Sequence, residues 1–162
     1  MIKRIGIIGV LVYLFFILEV VLNDTFGGWF KPQMLLLLVV FWGLYSGIRY
    51  SIIAAIFSGL LKDSYSILPF GTYLFVFIAA AYLTTIVRQN LYQPGSRFSR
   101  AVVSFFVLLG ALLIQAMIYL MSHEARWGEL IFNIFLPQLV ATMVVVTSVF
   151  HRLRDLAGWF KI

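Results

Sequence analysis

The sequence contains no cysteine and little charge, and both absences limit what the protein can be. Without cysteine it has no disulfide, no thiolate nucleophile and no cysteine-ligated metal site. Charged residues make up 11% of the 162 residues and hydrophobic residues 63%, against about 25% and about 45–50% in a typical soluble domain. A chain of this length has too small an interior to bury such an excess. We therefore predict an all-α integral membrane protein that forms one transmembrane domain over residues 1–162.

Recognisable catalytic motifs are missing as well. The sequence has two histidines and no His-Glu-x-x-His pair, Gly-x-Ser-x-Gly elbow or phosphate-binding Gly-x-x-x-x-Gly-Lys loop. It therefore predicts a protein without enzymatic activity, bound metal or cofactor. The net charge of +6 is spread over small groups between apolar runs. This spacing favours anionic lipid headgroups over nucleic acid as partners of the basic residues.

Four apolar runs approach or exceed the roughly 20 residues that a helix needs to cross a bilayer. They cover residues 5–22, 70–87, 101–121 and 130–150. The first run imitates a signal peptide, but it exceeds the usual apolar core of about 7–15 residues and no small-x-small cleavage site follows, so we expect an uncleaved span. Residues 151–162 alternate basic and apolar side chains, which predicts an interfacial helix on anionic lipid.

The stretch from residue 34 to 61 contains Arg49 and is either one long span or two short ones. Lys and Arg accumulate on the cytoplasmic side of a membrane, so the number of cations on each side separates the two readings. Two spans place nine cations inside and three outside, whereas one span places four inside and seven outside and leaves Arg49 in lipid. We therefore predict six spans with both termini cytoplasmic. The second and third are short, at residues 32–48 and 50–66, and Pro32 is the first helical residue.

Small residues recur at helical spacing along these two short spans, and they predict a helix-packing face. Such residues let helix backbones approach closely in lipid. Span 3 is therefore predicted to be central, and internal packing is favoured over a homodimer contact. The face consists of Gly43, Gly47, Ser51, Ala55 and Ser58.

Polar residues inside or near the spans form a candidate cavity, consisting of Glu19, Gln115, Asn133 and Gln138. Glu19 is the acid that lies deepest in a span. It could face a ligand or an ion, or it could reach the outer interface and pair with a loop cation, and we favour the pairing.

The order of several short motifs resembles the rod shape-determining protein MreD family. The motifs are "KPQ" before span 2, "FW" within it, "GLLKD" at the end of span 3, an apolar-Gly pair after the next loop and "AYL" in span 4. The positions that carry the resemblance at the turns are Lys31, Pro32, Gly59, Asp63, Pro69 and Gly71. Lys62 departs from the family, which has an apolar residue there, and we expect it to neutralise Asp63 in part.

The resemblance implies a role rather than a reaction. MreD-like proteins are scaffold subunits of the cell-elongation machinery in the bacterial inner membrane. They bind the bitopic protein MreC, and through it the MreB filament and the peptidoglycan synthases. Their fold is similar to the substrate-binding subunits of energy-coupling-factor transporters, so the alternative is a small-molecule-binding transporter subunit.

Two roles for Asp63 remain open at this point. It could organise the turn between spans 3 and 4 by accepting backbone N–H groups near Tyr65 and Ser66. It could instead contact a partner directly. We favour the structural role.

Overall fold

The structure, a computed structural model, describes residues 2–26, 31–66, 68–91, 97–122, 128 and 135–159. Over these residues the all-α prediction is confirmed. The helices are α1 (Ile2–Thr25), α2 (Met34–Tyr45), α3 (Ile48–Tyr65), α4 (Thr72–Leu91), α5 (Arg97–Ser122) and α6 (Leu136–Trp159).

Three of the described helices contain segments long and apolar enough to cross a membrane. They lie at Ile5–Thr25, Thr72–Asn90 and Ala101–Met121. Two shorter apolar segments, Met34–Tyr45 and Leu136–Val146, accompany them. These segments fit a transmembrane protein, because each presents apolar side chains over a length comparable with the hydrocarbon core or packs against helices that do.

The stretch that could have been one span or two forms two helices, which meet in a tight turn. Ser46 and Gly47 both donate their N–H groups to the carbonyl of Trp42, at 2.9 and 3.1 Å, and so close the end of α2. Gly47 has a φ of +90°, a conformation that favours glycine. The prediction that Gly47 belongs to the helix-packing face is wrong, because a Cβ there would meet nothing within 4 Å. Glycine is needed at this position for the turn.

The start of α2 also differs from the prediction. Pro32 is not helical; Gln33 is the N-cap and the helix begins at Met34. With 12 residues the helix is about 18 Å long at 1.5 Å per residue. It is therefore well short of a hydrocarbon core of about 30 Å.

The central helix of the bundle is α2, which corrects the prediction that span 3 is central. Every residue from Met34 to Leu44 is buried, and α2 contacts each of the other five helices. By contrast, α3 buries one face and exposes Ile56, Phe57 and Leu60. A helix too short to cross the hydrocarbon core can be tolerated when protein surrounds it and supplies partners for its terminal backbone groups.

The small residues of α3 allow that packing. Ser51, Ala55 and Ser58 are fully buried, and the Ser51 hydroxyl donates to the Val39 carbonyl of α2 at 2.9 Å. A Cβ on Gly43 would lie 2.7 Å from Cγ2 of Thr84 in α4. The backbones of α2, α3 and α4 therefore approach one another more closely than larger side chains would permit.

The closest of these approaches is at Gly59. A Cβ there would lie 2.6 Å from Cα and 3.0 Å from the backbone nitrogen of Leu74, near the start of α4. Backbone atoms cannot swing aside as the end of a side chain can. The crossing of α3 and α4 therefore requires glycine at this position.

The predicted sixth span and the predicted interfacial tail share one helix. The backbone of α6 runs without a break from Leu136 to Trp159, so residues 151–159 continue the span instead of forming a separate element. Residues 130–134 of the predicted span and 160–162 of the tail lie outside the described residues.

The substitution Gly59→Ala tests the close crossing. We expect it to lower the free energy of unfolding by about 1–3 kcal/mol, the usual cost of inserting a methyl group into a filled contact. The measurement is thermal unfolding in detergent. Gly6→Ala is the matched control, because a Cβ on Gly6 meets nothing within 4 Å and alanine favours helix. Equal stability of both variants would contradict the crossing.

Candidate functional site

Polar side chains from all six helices or their leading residues meet at one end of the bundle, which we call the polar end. It lies where α1 and α3 finish and where α2 and α4 begin. Its hydrogen bonds join segments that are far apart in the sequence. The polar end consists of Glu19, Gln33, Lys62, Asp63, Tyr73, Gln115, Gln138 and Thr142.

Asp63 caps the start of α4. One carboxylate oxygen, Oδ2, accepts the N–H groups of Gly71 and Leu74 at 3.0 and 3.1 Å, and the other, Oδ1, accepts that of Tyr73 at 2.9 Å. The side chain is 4% exposed. These partners lie at the start of the next helix or just before it, and not at Tyr65 and Ser66, where the sequence analysis expects them. The carboxylate satisfies donors that a helix start leaves without intrahelical partners, and its charge opposes the positive end of the helix dipole.

The loop before α4 aims these donors at Asp63. Gly71 has a φ of +98°, which favours glycine. The remaining early donor, the N–H of Thr72, bonds to the carbonyl of Pro69 at 3.2 Å, and the Thr72 hydroxyl donates to the same carbonyl at 2.7 Å. The start of α4 is thus satisfied without water.

The spacing of Gly59 and Asp63 has a direct structural reason. Residues four apart lie on the same face of a helix, one turn above the other. Gly59 lets the start of α4 approach the backbone of α3. One turn later, Asp63 reaches the exposed N–H groups of that start. The glycine and the acid therefore act on the same helix junction.

Glu19 caps the start of α2 and pairs with a lysine. Its Oε2 accepts the N–H of Leu35 at 3.1 Å, and its Oε1 forms an ion pair with Nζ of Lys62. The side chains of Lys62 and Glu19 are 16% and 6% exposed, so this pair is largely removed from solvent. The partner is a cation on α3, not on a loop. Lys62 therefore neutralises Glu19, which corrects the expectation that it neutralises Asp63.

Both ends of α2 are held by charges that oppose its dipole. Glu19 supplies a negative charge at the N-terminus. At the other end, Nη1 of Arg88 donates to the carbonyl of Gly43 at 3.2 Å. A buried helix cannot satisfy its terminal groups with water, so neighbouring helices must supply the partners.

A chain of amides connects the start of α2 to α4, α5 and α6. The backbone N–H of Gln33 donates to the hydroxyl of Thr142, and its side-chain amide donates to Oε1 of Gln115, both at 3.0 Å. Gln115 in turn donates to the hydroxyl of Tyr73 at 3.0 Å. Thr142 donates to the carbonyl of Gln138 at 2.7 Å. Four helices are thereby connected through buried and half-buried polar groups.

A pocket of about 150 Å³ opens beside the Glu19–Lys62 pair. The described residues that line it include the polar side chains of Glu19, Asn23, Lys31, Lys62 and Gln138 and the aromatic rings of Phe16, Tyr65 and Tyr73. Nζ of Lys62 lies 5.1 Å from the centre of the Tyr73 ring, within cation–π range.

The predicted site residues are thus distributed between this pocket and its surroundings. Of the predicted cavity residues, Glu19 and Gln138 line the pocket, Gln115 belongs to the amide chain, and Asn133 lies outside the described residues. Of the turn positions, Lys31 and Pro32 line the pocket. Gly59, Asp63, Pro69 and Gly71 build the junction of α3 and α4.

Sequence reasoning missed several residues of the polar end. Gln33 enters the sequence analysis only as part of a motif, Tyr73 does not enter it, and Lys62 is assigned there to Asp63 instead of Glu19. Gln33 is 1% exposed, and the signal available was its amide at the boundary of an otherwise apolar helix. Among the described residues, no group of three or more histidines and acids is placed to hold a metal ion.

Comparison with known proteins identifies one family. A family model described as rod shape-determining protein MreD matches residues 2–156. No curated protein and no solved structure matches the chain.

Two substitutions at Asp63 test its capping role. Asp63→Leu leaves three N–H groups without their acceptor, and each buried unpaired donor costs about 1–3 kcal/mol. Asp63→Asn keeps one acceptor oxygen, so we expect its stability to fall between those of Asp63→Leu and the unchanged protein. Thermal unfolding in detergent measures the order. Unfolding temperatures equal to that of the unchanged protein would show that the carboxylate does not support α4.

A double-mutant cycle tests the pair of Glu19 and Lys62. Lys62→Met leaves a buried carboxylate unpaired, which costs about 3–5 kcal/mol. Glu19→Gln keeps an acceptor for the N–H of Leu35, so the double variant removes both charges and retains the cap. We expect the double variant to be more stable than Lys62→Met alone, as measured by thermal unfolding. Additive losses would mean that the two side chains do not interact.

Proposed function

Because the chain belongs to the MreD family of rod shape-determining proteins, we propose that it is a non-enzymatic scaffold subunit of the bacterial cell-elongation machinery. It organises lateral peptidoglycan synthesis without taking part in its chemistry. The family match supports the role in rod shape, since it extends over residues 2–156.

The observation that carries the scaffold assignment is the use of the buried acids at the polar end. Asp63 accepts three backbone N–H groups, and Glu19 accepts one and pairs with Lys62. A general acid or base must reach the proton that it transfers. Carboxylates that hold the starts of α2 and α4 are committed to structure instead.

The scaffold crosses the bacterial inner membrane six times, with both termini in the cytoplasm. Nine of the twelve basic residues then lie on the cytoplasmic side, in agreement with the bias of Lys and Arg. In this arrangement the polar end faces outward, and the turn at Gly47, with Arg49 beside it, faces the cytoplasm.

Its partner is the bitopic protein MreC, which connects it indirectly to the MreB filament and the peptidoglycan synthases. A single-span partner needs an apolar helix face that no other helix of the bundle covers. Among the described residues, α1 and α5 are two of the helices that present such a face. The exposed side chains include Val10, Leu14 and Ile17 on α1, and Phe106, Leu113 and Met117 on α5.

Purification from native membranes tests the partnership. We expect an MreC-like, one-span protein to copurify with the chain, and depletion of the chain to convert rod-shaped cells to rounded ones. Recovery of the chain without such a protein, together with unchanged rod shape on depletion, would refute the proposal.

Two matched variants locate the contact. Leu14 and Leu113 are 54% and 57% exposed, so Leu14→Trp and Leu113→Trp add similar bulk to the two faces. Loss of copurification with one variant and not the other identifies the partner's face. Both variants should retain the unfolding temperature of the unchanged protein, which separates a lost contact from a lost fold.

The pocket favours a second candidate, a small-molecule-binding subunit of a transporter with a fold like that of the energy-coupling-factor substrate-binding subunits. Its lining brings together Glu19, Lys62 and Gln138. Its volume of about 150 Å³ is small beside the roughly 300–1,000 Å³ of most ligand pockets. Thermal-shift screening of the purified protein against vitamin-like compounds distinguishes the candidates, because a transporter subunit would be stabilised by its substrate.

A further inference from the structure

The pocket at the polar end has hydrogen-bonding groups that the helix caps do not use. The ammonium group of Lys62 has three N–H donors, and one of them donates a hydrogen bond to Glu19. Asn23 lines the same pocket, and its side-chain oxygen Oδ1 is buried without a hydrogen-bond partner among the described residues. A buried acceptor left unpaired is costly. The pocket therefore offers donors and an acceptor to a molecule that supplies the opposite groups.

The charge of the lining favours an anion. Lys62 balances Glu19 in the ion pair, and the N–H of Leu35 also stabilises that carboxylate. Lys31, which is exposed at the pocket, adds a second cation that no acid among the described lining residues balances. The positive end of the α2 dipole points toward the same region. Among the residues that the structure describes, the lining thus carries one net positive charge.

The size of the pocket limits the ligand to a small group. A volume of about 150 Å³ far exceeds the roughly 10–15 Å³ that one water molecule requires. It falls below the roughly 300 Å³ of the smaller drug-sized sites. A lipid headgroup or a molecule of similar size fits this volume, whereas a drug-sized ligand does not.

The pocket also lies where apolar and polar surroundings meet. Phe16 and Val20 contribute apolar lining from α1, and Asn23 adds a polar group about one turn nearer the end of the same helix. The neighbouring side chains of Ile17 and Val21 are 43% and 55% exposed. An amphiphile could therefore place its polar group in the pocket and its chains along α1.

We propose that this pocket binds a phosphate ester that also carries a hydroxyl or ammonium group. Lys31 and Lys62 hold the phosphate, and Oδ1 of Asn23 accepts a hydrogen bond from the hydroxyl or ammonium group. A membrane glycerophospholipid and a soluble phosphate ester share this chemistry. The proposal is independent of the scaffold function.

Binding to the delipidated protein in detergent tests the proposal. The probes are phosphatidylglycerol, diacylglycerol of the same chain length, and glycerol 3-phosphate, and native mass spectrometry and thermal shift report their binding. We expect phosphatidylglycerol to bind and diacylglycerol not to bind. Binding of glycerol 3-phosphate with equal affinity would support the pocket and identify a soluble ester as the source, whereas preference for the lipid would identify the membrane.

Three variants connect the binding to the pocket. Lys31→Gln and Asn23→Leu alter the lining, and Arg49→Gln is the matched control, since it removes an exposed cation beside the turn at the opposite end of α2. We expect affinity for the phosphate ester to fall about three- to tenfold for each pocket variant, typical of losing one charged or buried polar contact, and to be unchanged for Arg49→Gln.

The same variants can overturn the proposal. Equal losses for Lys31→Gln and Arg49→Gln would show that lipid binds by general charge attraction. Diacylglycerol binding as tightly as phosphatidylglycerol would remove the role of the phosphate. An unchanged unfolding temperature without lipid establishes that each variant is folded, and unchanged binding by both folded pocket variants would exclude the pocket.

Discussion

The structure depends on satisfying the ends of α2 away from water. This helix of 12 residues is buried along almost its whole length and is too short to place both ends beyond a hydrocarbon core. Its terminal N–H and carbonyl groups must therefore find partners within the protein. Glu19 supplies an acceptor at one end and Arg88 a donor at the other. The surrounding helices place these two side chains level with the two ends of α2.

The same requirement explains the junction of α3 and α4. Because Asp63 must reach three N–H groups at and just before the start of the following helix, that start has to lie against α3. Gly59 makes that approach sterically possible, and the positive φ of Gly71 turns the loop toward the carboxylate. Each of the three residues is explained by the other two. The motif is therefore one structural unit, and its spacing follows from the pitch of a helix.

The sequence could predict the class of the fold and the break between α2 and α3, because composition and charge placement carry that information. It could not predict which helix is central. In lipid, an apolar side chain is equally compatible with a neighbouring helix or an acyl chain, so α2 gave no sign of its burial. The partners of Asp63 were also hidden. Backbone N–H groups are common to almost every residue, so an acid that caps another helix leaves little trace at the positions that it bonds.

Lys62 departs from the family pattern, and the residue that explains it lies far away in the sequence. Its place beside Asp63 in the sequence predicts that it neutralises that acid, but neighbouring residues on a helix point in different directions. Its side chain instead reaches Glu19, 43 positions earlier. Burial of either charge alone would be costly, and each charge offsets the cost of burying the other. The two charges therefore have to be explained together, and the pair then leaves Asp63 free to give both of its oxygens to α4.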